Sequence, residues 1–469
     1  MTSRIGLGYR SLPLVVAACA VLVGVLAAID PMMSIVLVLG LAFVALALTD
    51  VMLGLCLFCL AAFLETLPRL GEVSAAKAVG LLLVVSWLAT LTNRSETRKD
   101  FFADHPAIAS VALLFLAWTA ISALWAQDSG EAISAVTRYG PNMLLLPIAY
   151  TAIRGRRDVL ALVTTFLACA LLSALYGMAA GGGDSGDGRL SGAGVDANEL
   201  ALTLVGAVAL GAALAAARSL SGPARWACAS GALLGVVAVL MTASRTGLVG
   251  LGAVAILGVV FAGRGRRMPI LVVGIIAALS LSFYVLALAP EAARDRLIAT
   301  EQDPGSEGGS GRTDIWSVGW RMVEDKPVQG VGAGNFALTS VSYLLQPGDI
   351  RRDQYILDEP KAAHNIYLEV LAELGVIGLA LFLAIIGFAF ACTLRAARLF
   401  AARGDPTLEI VSRAVLVALG ASFVASSFIS IQFHKPLWLL LALAPVLLAL
   451  AKQLPDRRVE PALANRQHG

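Results

Sequence analysis

Residues 367–392 read YLEVLAELGVIGLALFLAIIGFAFAC, directly after His364-Asn365-Ile366. Twenty-six residues at about 1.5 Å of helical rise each outreach the roughly 30 Å hydrocarbon core of a bilayer, so this run predicts a membrane-crossing helix. The same signature recurs along the chain. Working outward, hydropathy places further spans at 12–29, 32–48, 51–67, 75–92, 107–125, 134–153, 159–180, 198–217, 226–242, 246–261, 269–289, 410–431 and 437–451. Only Asp30-Pro31 and Thr49-Asp50 separate the first three, so the expected count is twelve to fourteen. The predicted fold class is therefore all-α, a polytopic transmembrane helix bundle with one long extracytoplasmic loop.

Composition agrees with this class. Of the 469 residues, 58% are hydrophobic and only 14% charged, and mean hydropathy is +0.81, values that exclude an ordinary soluble domain. A net charge of +3 is too small to predict nucleic-acid binding, and the basic residues lie in short inter-helix loops rather than in one patch. Alternate loops carry Arg4/Arg10, Arg94/Arg98/Lys99, Arg154/Arg156/Arg157, Arg218/Arg225, Arg264/Arg266/Arg267, Arg395/Arg398/Arg403/Arg413 and Lys452/Arg457/Arg458. The positive-inside rule assigns these to the cytoplasm, which puts both termini inside, and the basic N-terminus followed by an apolar stretch reads as a retained signal-anchor. The opposite loops, 127–131, 181–197, 290–363 and 432–436 with the tight Ser244-Arg245 turn, then face outward.

Several chemistries find no seat. All six cysteines, Cys19, Cys56, Cys59, Cys169, Cys228 and Cys392, fall in apolar runs, so Cys56-x-x-Cys59 reads as two small core residues rather than a redox or zinc motif. The four histidines are scattered, no paired Asp-x-Asp occurs, and no metal site or cofactor is expected. Gly330-Val331-Gly332-Ala333-Gly334-Asn335-Phe336 is glycine-rich but lacks a βαβ context, and reads as a turn whose backbone approaches another element or a sugar. Within 290–363, the stretch 301–311 is Gly/Ser/acidic. Residues 313–324 predict an amphipathic helix, capped by Thr313 or Asp314, with Ile315, Trp316, Gly319, Trp320 and Val323 on one face, its two tryptophans suiting either the membrane interface or packing on the transmembrane bundle.

The remaining polar residues are cationic and share one side. Arg189 lies in GRLSGAG (188–194), just before Asp196 and Asn198, and Arg245 lies in TASRTG (242–247) with almost no loop around it. Arginine at a membrane edge either snorkels to anchor a helix end or pairs with an anion, and its planar fork suits phosphate oxygens. His364 reads either as a helix-cap or loop hydrogen-bonder or as a neutral imidazole that takes a proton from an attacking hydroxyl.

In order along the chain, GRL-x-G with a nearby Asn, Ser-Arg-x-Gly, GRTDIW (311–316), PVQGVGAGNF (327–336), His364-Asn365-x-Tyr367-Leu368 and Gly375-x-x-Gly378 resemble the bacterial O-antigen ligase and O-antigen polymerase superfamily, over residues 189–379. The resemblance implies a metal-independent, inverting, membrane-embedded glycosyltransferase. Its donor would be an undecaprenyl-diphosphate-linked glycan, and its acceptor lipid-A core or a second glycan, at the outer face of the inner membrane. By carry-over, Arg189 and Arg245 would bind the donor diphosphate and His364 would be the catalytic base, with Arg312, Arg321, Asn198, Asn365 and Tyr367 as further substrate contacts. The family's ligases usually show about twelve spans.

The expected organisation is an N-terminal bundle (1–180), helices bearing the outward arginines (181–289), the long loop (290–363), C-terminal helices (364–452) and a cytoplasmic tail (453–469). A flippase or other transporter of lipid-linked glycans is the rival from another class, and a membrane scaffold a third reading. Against transport stand the absence of an inverted internal repeat and the placement of charge at one face instead of the midplane. The topology is testable: Gly309→Cys is expected to react with an impermeant maleimide from outside the inner membrane, and labelling only after inner-membrane lysis would reverse the orientation.

Overall fold

The structure is a computed structural model that describes residues 50–63, 75–92, 100–180, 189–192, 194–263, 265–283, 310–347 and 361–455, with the isolated positions 287 and 294. The expected spans 12–29 and 32–48, and most of the Gly/Ser/acidic stretch 301–311, lie outside the described residues. So do Cys19 and Gly309.

All twelve remaining expected spans are helices, and no strand occurs among the described residues. They are α1 (Val51–Phe63), α2 (Ala75–Thr92), α3 (Pro106–Ile121), α4 (Ser129–Ala152), α5 (Arg156–Ala179), α6 (Ala197–Ala216), α7 (Gly222–Met241), α8 (Arg245–Phe261) and α9 (Arg267–Phe283), followed after two further helices by α12 (Ile366–Arg403), α13 (Pro406–Ala425) and α14 (Lys435–Gln453). The two inserted helices, α10 (Ser310–Asp325) and α11 (Phe336–Leu344), belong to the long loop. Among the described residues, seven helices are long and apolar enough to cross a membrane: α3 with its short extension to Leu124, α5, α6, α7, α12, α13 and α14. The protein is an all-α polytopic membrane protein.

Helices α6, α13 and α14 are apolar all round and buried on nearly every face, as helices at the centre of a bundle should be. α6 packs on α5, α7 and α13, and α14 packs on α4 and α12. Because the connections alternate, residues 122–128, 189–192, 194–196, 242–244, 310–347, 361–365 and 426–434 gather at one end of the bundle. Five cysteines are described and none forms a disulfide.

The run that announces the fold is not one continuous helix. Gly375 has φ 65° and ψ −171°, which separates a short N-terminal segment of α12 from the long remainder. Such a break strands backbone groups that hydrocarbon cannot satisfy. The loop at 327–333 supplies the partners: Val331 N–H donates to Ala372 O (2.9 Å), Gly332 N–H to Glu373 O (2.9 Å), and Val376 N–H to Pro327 O (2.9 Å). Trp118 Nε1–H of α3 takes Leu374 O at 2.8 Å. The approach is close because glycines make it: a Cβ on Gly330 would sit 2.3 Å from Glu373 O, and one on Gly375 2.0 Å from Val328 O. The glycine-rich loop is thus a backbone-approach turn.

The amphipathic helix of the long loop starts at Ser310, three residues before the expected caps Thr313 and Asp314. Its packed face is Ile315, Val318 and Met322 against Val331, Phe336, Tyr343, Leu344 and Ala363. The two tryptophans differ in what they meet: Trp316 is partly buried against the Ile315, Val318 and Met322 cluster, whereas Trp320 lies farther round the helix from that stripe and is 55% exposed.

A Cβ at Gly375 meets both an unfavourable φ and backbone oxygen. Gly375→Ala is therefore expected to cost about 2 kcal/mol or more, read as a lower thermal midpoint in detergent. Gly387→Ala, in open space on the same helix, is the neutral control. Equal midpoints for the two variants would contradict the stitched break.

Candidate functional site

The site end of the bundle is organised around arginines from three different elements. Residues 189–190 lie along the C-terminal end of α7: Leu190 N–H donates to Met241 O (3.0 Å) and Arg189 Nε–H to Thr242 O (3.0 Å). Asp196 caps α6 through the Asn198 and Glu199 amides, which orients Asn198 on the first turn. Asn198 Oδ1 then accepts from Arg189 Nη2 at 3.0 Å and from Ser244 Oγ at 2.7 Å. Ser244 caps α8 through Gly247 N–H (3.2 Å), so Arg245 begins that helix, where the macrodipole adds positive potential. One asparagine oxygen therefore joins the two arginine motifs.

Arg312 stands on the first turn of α10. Burial lowers its pKa, and the charges of Arg245 and Arg189 lower it further, which brings three guanidinium groups from the 189 segment, α8 and α10 within mutual electrostatic range. Each of the three is partly buried. A surface with this much fixed positive charge suits a multiply charged anion, and arginine forks match phosphate oxygens in particular.

The residue before His364 is tied to α10, the helix that bears Arg312. One turn along from Arg312, Trp316 Nε1–H donates to Ala363 O at 2.9 Å. His364 itself is exposed, with φ +49°. It and Ala243 are the two non-glycine residues with positive φ among the described residues, and both adjoin the candidate site. Such conformations cost of order 1–3 kcal/mol and persist only where neighbours over-determine them. At His364 the neighbours do so: Asn365 Oδ1 caps the Tyr367 and Leu368 amides at 3.0 and 3.1 Å, and Asn365 O accepts Glu369 N–H at 2.9 Å.

Two buried carboxylates lie below, and the sequence reading missed both roles. Glu369 accepts from Gln432 Nε2 (2.6 Å), from the Ser430 hydroxyl and from the Ala363 amide, which ties α12 to the 426–434 turn and to the residue before His364. Glu373 accepts from Phe336 N–H (3.1 Å) and from the Gly334 amide, closing the N-terminus of α11. The signal was available, since two glutamates one turn apart in an otherwise apolar run must be paired or hydrogen-bonded. On the far side of the same turn, Arg138 lies over the Phe433 ring at 4.8 Å and pairs with Glu131 at 3.0 Å.

The other residues expected to contact substrate have structural partners. Arg321 donates to Tyr343 O (3.0 Å), Gln346 O (3.3 Å) and Pro347 O (3.4 Å), closing the C-terminal end of α11. Tyr367 turns into the bundle and donates to Phe423 O at 2.8 Å. Asn365 is a helix cap, and Asn198 is the link described above. The structure thus gathers Arg189, Arg245, Arg312 and Asn198, ties the residue before His364 to α10, and engages Arg321 and Tyr367 elsewhere.

The arrangement is that of a polytopic membrane protein with a cationic site at one end of its bundle. Residues 230–383 match the O-antigen ligase family model, which supports a membrane enzyme of the O-antigen ligase and polymerase type. The matched stretch takes in Arg245, Arg312, Trp316, His364, Glu369 and Glu373, whereas Arg189 and Asn198 precede it. No curated protein matches the chain.

Removing the shared acceptor tests the joint between the two arginine motifs. Asn198→Ala is expected to destabilise the protein by about 1.5–3 kcal/mol, the range for a hydrogen bond to a charged group, with Asn198→Asp recovering part of the loss. Denaturation midpoints of the purified variants provide the measurement.

Proposed function

We propose that this protein transfers glycan from an undecaprenyl-diphosphate-linked donor to an acceptor hydroxyl at the outer face of the inner membrane, as a metal-independent, inverting glycosyltransferase. The observation that carries this reading is the convergence of Arg189, Arg245 and Arg312 from three elements at the bundle end that also bears His364. The donor's diphosphate would lie among the guanidinium groups while its polyprenyl chain stays in the bilayer, an arrangement that suits a site at the end of membrane helices.

In the reaction, the acceptor hydroxyl oxygen attacks the anomeric carbon of the donor sugar from the face opposite the diphosphate. The new carbon–oxygen bond forms as the bond to the diphosphate oxygen breaks, which inverts the anomeric configuration. His364 takes the hydroxyl proton on its neutral imidazole, and the departing electron pair stays on undecaprenyl diphosphate, where the arginines hold the growing charge. Pre-aimed cations of this kind act most strongly where charge develops, and need no reorganisation during the step.

The acceptor is lipid-A core in a ligase and a second lipid-linked glycan in a polymerase, and we favour the ligase. The elements nearest His364, α10 and α11, would form the acceptor surface. The test is an in vitro reaction of purified protein with an undecaprenyl-diphosphate glycan, without added metal or nucleotide, offering the two acceptors separately. Product on lipid A that vanishes in His364→Ala is expected; lengthened lipid-linked chains would establish the polymerase, and a His364-independent outcome with both acceptors would reject the mechanism. Arg245→Ala is expected to abolish transfer at unchanged expression, since each lost charge-assisted contact weakens diphosphate stabilisation by roughly 1.5–3 kcal/mol. Full activity in that variant would remove Arg245 from the clamp.

A further inference from the structure

We infer that Trp316 is a positioning residue for His364, and that α10 carries Arg312 and the placement of His364 as one rigid unit. This rests on the reading of His364 as the proton acceptor. It adds a coupling between the anion cluster and the imidazole.

The argument begins at the peptide before His364. Ala363 is fully buried and held from two sides: its carbonyl accepts Trp316 Nε1–H at 2.9 Å, and its N–H donates to the Glu369 carboxylate. On the other side of His364, Asn365 is fixed as the cap of α12. A left-handed residue between two clamped neighbours has little freedom left in its backbone, so the direction of its side chain follows from the clamps. Of these clamps, Glu369 and Asn365 belong to α12 itself. Trp316 comes from a separate helix.

That helix is the one bearing Arg312. Positions 312 and 316 share one face a turn apart, and the body of α10 is anchored through Ile315, Val318 and Met322. The Trp316 ring also lies 6.2 Å from the Phe428 ring, in the turn whose Ser430 and Gln432 hold Glu369. Movement of α10 toward an anion at Arg312 would therefore carry Ala363 with it, and His364 with Ala363. A donor diphosphate seated on the arginines favours the position of α10 that presents the imidazole, so the base is set only when there is a leaving group to expel. Displacements of about 1 Å at such a group cost up to a hundredfold in rate.

Trp316→Phe is the test variant, because it keeps a six-membered aromatic ring at the position while removing the Nε1–H together with the rest of the pyrrole ring. Full-length protein in nanodiscs is assayed with a short undecaprenyl-diphosphate oligosaccharide as donor, against whichever acceptor supports turnover in the wild type. The expected result is a fall in kcat of about tenfold, with donor KM, donor affinity and donor-binding stoichiometry unchanged. Arg312→Ala, by contrast, should raise the donor KM. Combining Trp316→Phe with His364→Ala should slow the residual rate no further than His364→Ala alone, since the tryptophan acts through the histidine.

A wild-type kcat in Trp316→Phe, a loss of donor-binding stoichiometry, or an additive loss in the double variant would each overturn the inference. Failure of the underlying reading is distinguishable: His364→Ala would then turn over like the wild type, whatever Trp316→Phe does.

Discussion

The break in α12 at Gly375 is the constraint on which the site end of the bundle depends. A helix interrupted near a membrane must pair the groups it releases, because an unsatisfied carbonyl in hydrocarbon costs several kcal/mol. Here the pairing is done by residues 327–332 and by Trp118, so the long loop is bound into the bundle by backbone hydrogen bonds. Once that loop is held, the short first segment of α12 can turn aside from the remainder. It then points its cap, Asn365, and the preceding His364 into the space above the helices.

Charge is distributed around this break with a clear division. The acids are inside: Glu369 and Glu373 are buried, and each accepts hydrogen bonds from neighbouring elements. The cations are outside them, on the 189 segment, α8 and α10, partly buried and close enough that Arg312 is perturbed by the other two. Buried acids here serve as joints between elements. The arginines, drawn from elements far apart in sequence, form the surface that a phosphorylated ligand would meet.

The two strained residues make the same point about geometry. Ala243 and His364 adopt left-handed backbones that their side chains disfavour, and each stands beside a motif residue, Ser244-Arg245 in one case and the Asn365 cap in the other. Ser244 shares the Asn198 oxygen with Arg189, and the Ala363 carbonyl is held by Trp316. At each position a residue next in sequence is held by a partner from another element, and at His364 the Asn365 cap of α12 adds to that hold.

Hydropathy, sidedness and motif order carried much of this in the sequence. Twelve runs read as spans are helices, and the residues Arg189, Arg245, Arg312 and His364 were all legible as candidates, because charge in an apolar chain stands out without any knowledge of packing. The sequence also marked 330–336 as a turn of close backbone approach, since glycines at that density have few other uses. What it did not determine was which element the turn approaches, where the run 367–392 is cut, or which tryptophan of α10 faces inward. It also left open that Arg321 and Tyr367 serve neighbouring backbone, and that Glu369 links Ala363 to the 426–434 turn. Those outcomes depend on contacts between residues tens to hundreds of positions apart, and on a one-residue change of backbone hand at Gly375 that leaves hydropathy untouched. Only the tertiary structure decided them, because local periodicity reports which face of a helix is apolar and not what that face will meet.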